Sequence, residues 1–96
     1  MYFKDKKVIV TGASSGIGKQ VAIDFSNKGV ETIVLVSRSK TNLERVEKLL
    51  NPKCETRIYP CDISKKNEVI EMGKEIEEKY NNVDILVNNA GFGRYG

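Results

Sequence analysis

One stretch near the amino end, Val8-Ile9-Val10-Thr11-Gly12-Ala13-Ser14-Ser15-Gly16-Ile17-Gly18, constrains the fold of this chain more than any other. Val8 to Val10 is an unbroken apolar run, the habit of a strand covered on both faces in a parallel sheet. A turn with three glycines follows, and then an apolar helical pattern at Ile17, Val21, Ala22 and Phe25. A strand that opens through glycines into a helix leaves unpaired backbone N–H groups at the helix's positive end. Such an end is an anion site, most often for phosphate, and glycines let the backbone approach it. The bland alternative is a Gly/Ser connector with no ligand.

The spacing separates this loop from two common phosphate motifs. Glycines at 12, 16 and 18 do not fit G-x-G-x-x-G. The pattern G-x-x-x-x-G-K-[ST] fails at Ala13, where its first glycine belongs, and at Gln20, where its hydroxyl belongs. The pattern present is T-G-x-x-x-G-x-G, on Thr11, Gly12, Gly16 and Gly18.

The remaining pattern predicts strict alternation of strands and helices. The first helix runs to Gly29, and Thr32 to Val36 is a second buried strand. Ser39 or Thr41 can cap a second helix with an apolar face of Leu43, Val46, Leu49 and Leu50, which Asn51-Pro52 stops. Residues 54–61 mix polar and apolar positions and contain Pro60, both features of an edge strand. Ser64 is the expected cap of a long helix with Val69, Met72, Ile76 and Tyr80 on one face. Gly73 weakens that helix by about 1 kcal/mol without a reason visible in the sequence. Asn81-Asn82 then turns the chain into a fourth buried strand, Val83 to Val87.

A β-α-β-α-β-α-β chain with right-handed crossovers makes a parallel α/β sheet, and a polar third strand belongs at its edge. The expected fold is therefore doubly wound, with strand order 3-2-1-4. The fourth strand is as apolar as the first and expects a further neighbour, so the chain reads as incomplete at its carboxyl end and prone to self-association. With 96 residues, 40% hydrophobic and 30% charged, there is material for one small domain with a core. No apolar run is long enough to span a membrane, and Met1-Tyr2-Phe3-Lys4 does not resemble a signal peptide. The net charge of +3 comes with lysines interleaved among glutamates, which argues against a nucleic-acid surface. Cys54 and Cys61 would lie about 23 Å apart along one strand, too far for a mutual disulfide. Buried thiols in a reducing cytoplasm are the expectation, and with no histidine present zinc is not expected.

Three places past the glycine loop carry further chemistry. Nucleotide-binding βαβ units that prefer NAD place an acid about 20 residues after the glycines to accept from the ribose hydroxyls. Here Ser37-Arg38 stands there, and a guanidinium would pair with a 2′-phosphate, so NADP(H) is favoured over NAD(H); otherwise Arg38 is a solvated loop arginine. Asp62, which closes the third strand ahead of Ser64, reads by its position as a helix-approach acid. Asn88-Asn89-Ala90-Gly91 follows the fourth strand, at the carboxyl end of the sheet where such folds bind ligands.

Together, T-G-A-S-S-G-I-G, S-R, C-D-I and N-N-A-G resemble the short-chain dehydrogenase/reductase family across nearly all 96 residues, closest to its NADPH-using carbonyl and β-ketoacyl reductases. The resemblance implies a Rossmann fold and hydride transfer between nicotinamide and a carbonyl or secondary alcohol, on a small-molecule substrate. It further implies that Gly12, Ser14, Ser15, Gly16, Ile17 and Gly18 cradle the pyrophosphate and that Ser37 and Arg38 take the 2′-phosphate. Asp62 and Ile63 would then meet the adenine, and Asn89, with Ala90 and Gly91, the adenine-side ribose. The family's catalytic Asn, Ser and Tyr-x-x-x-Lys lie beyond N-N-A-G, so the chain alone is expected not to turn over. Tyr2-Phe3-Lys4-Asp5-Lys6 does spell Y-x-x-x-K, but leading into a strand its ends would be about 13 Å apart at the wrong end of the sheet. A nucleotide-binding or regulatory module without turnover is the alternative from another class.

Overall fold

The computed structural model describes residues 4–14, 16–80 and 83–88. Seven elements alternate along it: β1 (Lys7–Thr11), α1 (Gly16–Asn27), β2 (Thr32–Ser37), α2 (Lys40–Glu47), β3 (Glu55–Pro60), α3 (Lys66–Tyr80) and β4 (Ile85–Asn88). The four strands form one parallel sheet in the order β3-β2-β1-β4. This is the doubly wound arrangement that the pattern of elements predicts.

Strand alternation divides the apolar residues between two layers. Val8, Val10, Ile33 and Leu35 pack with Ala22 of α1 and with Leu43 and Val46 of α2. Ile9, Val34 and Val36 point to the opposite face and meet Met72, Ile76 and Tyr80 of α3. Both layers cover β1 and β2, which explains the unbroken apolar runs at their centres, residues 8–10 and 33–36. The third strand has no fully buried residue and alternates between exposed and half-buried from Glu55 to Ile58, as an edge strand should. Cys54 and Cys61 flank it, buried on opposite faces and both free thiols.

Several details differ from the sequence reading. On α1 the buried line is Gly18, Ala22 and Ser26, while Val21 and Phe25 are half-buried and Ile17 is 71% exposed. At about 100° per residue, Ile17 points roughly 140° away from Ala22. The helix rests on its small residues because they let its axis come close to the sheet, which pushes the larger stripe to its flank.

On α2, Ser39 rather than Thr41 is the cap, its Oγ accepting from the Asn42 N–H at 3.2 Å. The helix ends at Glu47, before Asn51-Pro52, and tightens through Leu49 N–H to Val46 O (2.8 Å) and Leu50 N–H to Glu47 O (3.2 Å). That last turn swings Leu50 into the core and leaves Leu49 54% exposed. Ser64 does not cap α3; its N–H and hydroxyl both bind Asp62, and the helix begins two residues later. Val83 precedes β4 rather than opening it. Asp84 fixes the start of that strand by accepting from the Lys7 N–H through Oδ2 (2.8 Å) and donating its own N–H to Lys7 O (2.9 Å). The expected turn at Asn81-Asn82 lies outside the described residues.

Candidate functional site

A parallel sheet delivers every loop that follows a strand to the same edge. At that edge the loops after β1, β2 and β3 enclose an open cleft of about 680 Å³. Its walls are Gly12 and Ser14 from the first loop, Ser37, Arg38, Ser39 and Asn42 from the second loop and α2, and Cys61, Asp62, Ile63 and Ser64 from the third.

Hydrogen bonds between the loops set its shape. The Ala13 N–H donates to Val36 O at 3.1 Å, folding the glycine loop back over the end of β2. The Cys61 N–H donates to Ser37 O at 2.8 Å, joining the second and third loops. Gly12 and Gly16 both have positive φ, 64° and 59°, which residues with a Cβ rarely adopt. These two glycines reverse the chain after β1 and aim it into α1, whose first turn contains no acidic residue to oppose an anion. The Thr11 hydroxyl reaches Val87 O (3.3 Å) and Asn88 Oδ1 (3.1 Å), which sews the end of β1 to the end of β4.

Charge is placed asymmetrically around the cleft. Arg38 is exposed and makes no ion pair or hydrogen bond among the described residues. Asp62 is the carboxylate in the wall. Its Oδ1 accepts from the Ser64 hydroxyl at 2.6 Å and the Ser64 N–H at 3.0 Å, and these bonds hold its carboxyl below the usual range. The nearby positive charges of Arg38 and Lys65 add to that effect. Burial raises the Cys61 thiol, and the negative charges of Glu68 and Asp62 raise it further, so it contributes no anion to the cleft.

Of the residues singled out in the sequence, Gly12, Ser14, Ser37, Arg38, Asp62 and Ile63 therefore share one cleft. Gly16, Ile17 and Gly18 form the first turn of α1 instead of its wall: Gly18 is buried and Ile17 projects outward. Ser15, Asn89, Ala90 and Gly91 lie outside the described residues. Ser39, Asn42, Cys61 and Ser64 also line the cleft and were not expected there. For Ser39 and Ser64 the sequence did carry a signal, since both read as polar residues next to helix starts. Cys61 stood in the C-D-I motif without being given a role, and Asn42 had no signal, because its position depends on how α2 approaches the first loop.

Residues 6–96 match the family of short chain dehydrogenases. The chain belongs to that family. A farnesol dehydrogenase of Aedes aegypti is 40% identical over 91 residues, covering 90% of this short-chain dehydrogenase sequence and 36% of the mosquito protein. Two solved structures superpose with a TM-score of 0.88. One is an NAD+-bound xylitol dehydrogenase, 31% identical, with 96% of this chain and 35% of that one covered. The other is a metagenomic short-chain oxidoreductase in complex with NADP, 29% identical, with 100% and 43% covered. The short-chain dehydrogenase chain thus spans well under half the length of these relatives. Among its described residues, no helix is long and apolar enough to cross a membrane, and no three His, Cys, Asp or Glu side chains gather as a metal-ion site.

Proposed function

We propose that residues 1–96 are the NADP(H)-binding part of an oxidoreductase that moves hydride between nicotinamide and a carbonyl or secondary alcohol of a small molecule. The observation that carries the cofactor choice is Arg38, a guanidinium in the cleft wall beside Ser37 with no ion pair or hydrogen bond among the described residues, where an NAD-preferring site would hold an acid. The nearest carboxylate in the wall, Asp62, has one oxygen committed to Ser64. Arg38 is therefore available to a 2′-phosphate in a forked, charge-assisted contact.

The rest of the wall fits the same group. Gly12 and Gly16, with the helix start they open, would meet the pyrophosphate together with Ser14, Ser15, Ile17 and Gly18. Ile63 and the second oxygen of Asp62 would meet the adenine, and Asn89, Ala90 and Gly91 its ribose. When bound, the cofactor supplies the hydride. Reduction of a carbonyl also needs a proton for the developing alkoxide. The chain has no histidine; of its one Tyr-x-x-x-Lys, Lys6 directly precedes β1 at the end of the sheet opposite the cleft, and Tyr2 lies outside the described residues. The proton donor is therefore assigned to no residue of this chain. Among the described residues β4 pairs on one side alone, with β1, and self-association of the chain would supply a second neighbour.

Fluorescence titration with NADPH and NADH tests the assignment. NADPH is expected to bind more tightly, and Arg38→Ala to weaken it about tenfold while leaving NADH nearly unchanged. Equal affinities for the two cofactors, or an Arg38→Ala chain that binds NADPH like the parent, would refute it.

A further inference from the structure

The third loop of the cleft is held from outside by a residue that does not line it. Among the described residues, every polar group of Asp62 except Oδ2 is engaged. Oδ1 accepts twice from Ser64, the carbonyl accepts the Lys65 N–H at 3.0 Å, and the N–H donates to Glu68 Oε1 at 3.0 Å. Glu68 sits in the first turn of α3, where a carboxylate is stabilised by the helix's positive end. Its Oε2 lies 3.9 Å from Lys65 Nζ.

The arrangement resembles a capping box with its return contact displaced. Lys65 precedes the helix and its carbonyl accepts from the Glu68 and Val69 N–H groups (3.1 and 3.2 Å). The carboxylate three residues into the helix would ordinarily reach the N–H of the residue in the capping position. Here the Lys65 N–H is already used by Asp62 O, so Glu68 reaches three residues further back. The result is a loop closed on the helix that follows it, with the remaining oxygen of Asp62 as its free acceptor.

From this geometry we infer that Glu68 is a positioning residue for purine recognition: it fixes the Asp62 loop so that Oδ2 can accept from an exocyclic amino group. The inference rests on the cofactor reading above and adds a residue that does not touch the ligand. A purine with an amino group at C6 can donate to that oxygen, whereas one with a carbonyl there places an acceptor against it. Preference between the two bases therefore reports the position of the Asp62 carboxylate and not merely the stability of the fold.

The experiment compares 2′,5′-ADP with its hypoxanthine counterpart as ligands of the 96-residue chain by calorimetry, with thermal unfolding followed in parallel. The parent chain is expected to prefer adenine. Glu68→Ala should reduce that preference about three- to tenfold, the worth of one positioning hydrogen bond. Glu68→Gln retains an acceptor for the Asp62 N–H and should keep most of the preference, although it loses the charge facing Lys65. If Glu68→Ala keeps the parent's preference, or if Glu68→Gln loses as much as Glu68→Ala, the inference is wrong while the cofactor site stands. If the parent binds neither nucleotide, the cofactor reading fails and the inference with it.

Discussion

At the scale of single residues, the cleft is organised by which polar atoms are spent within the protein and which are left for a ligand. Arg38 makes no ion pair or hydrogen bond among the described residues, whereas Asp62 is bound there through all its polar atoms but one. The Ser64 bonds hold Asp62 below its ordinary pKa of 3.8, so the folded chain prefers the ionised carboxylate. A depressed carboxyl contributes stability above its unfolded pKa and loses that contribution as the pH falls through the folded value. Carbon-detected NMR should accordingly show Asp62 titrating below 3.8, and Ser64→Ala should move it back toward that value. An unchanged titration in the variant would mean that Ser64 is not the cause. Burial acts in the opposite sense on the thiols, pushing Cys54 up to about 11, with the charge of Glu55 adding to it, and raising Cys61 as well. Both cysteines should react slowly with a thiol reagent at pH 8 in the native chain and rapidly in urea. Fast native labelling of either would contradict the burial. The glycine loop and Arg38 stood out by residue type and spacing, whereas Asp62 was singled out as a ligand residue only by the family resemblance. Glu68 was not, because a hydrogen bond spanning six residues through a turn leaves no periodic trace.

At the scale of elements, local rules predict that helices exist better than they predict which face turns inward. Capping chemistry correctly placed a polar residue at the start of α2, and the structure selects Ser39. The same rule misplaced Ser64, because Asp62 competes successfully for its hydroxyl. Gly73 illustrates an element rule with no tertiary cost attached. It lies on the exposed side of α3, and a Cβ there would meet no atom within 4 Å. Gly73→Ala should stabilise the chain by about 1 kcal/mol, read as a higher urea midpoint at unchanged slope. A neutral or destabilising result would show that something packs on that face of α3. Gly16 presents the opposite case: the surrounding space is equally open, but its φ of 59° makes a side chain unfavourable whatever the room.

At the scale of the whole molecule, the two edges of the sheet differ. The β3 edge ends at Pro60 and carries Glu55 and Arg57, devices that discourage pairing. Among the described residues β4 pairs only with β1, and beside it Leu86 is 62% and Val83 39% exposed. Such an apolar, hydrogen-bonding edge favours association. Sedimentation at micromolar concentration is expected to show dimers or larger species, and Leu86→Lys to shift them toward monomer. A clean monomer for the parent chain would remove the proposed role of β4.

The sequence by itself determined the kind and order of the elements, the glycine loop and the polar third strand. Those are properties of neighbouring residues: apolar runs, helical periodicity, and backbone freedom at particular positions. The tertiary structure alone decided that α1 rests on Gly18, Ala22 and Ser26 while Ile17 faces outward. It also decided that Asn42 and Cys61 share a wall with Gly12, and that Glu68 holds the loop behind Asp62. The first depends on how closely a helix approaches the sheet, the second on loops brought together by parallel pairing across more than 25 residues of intervening chain, and the third on how the turn before α3 closes on that helix. Distances of that kind follow from the packing of the whole core, which no local pattern encodes.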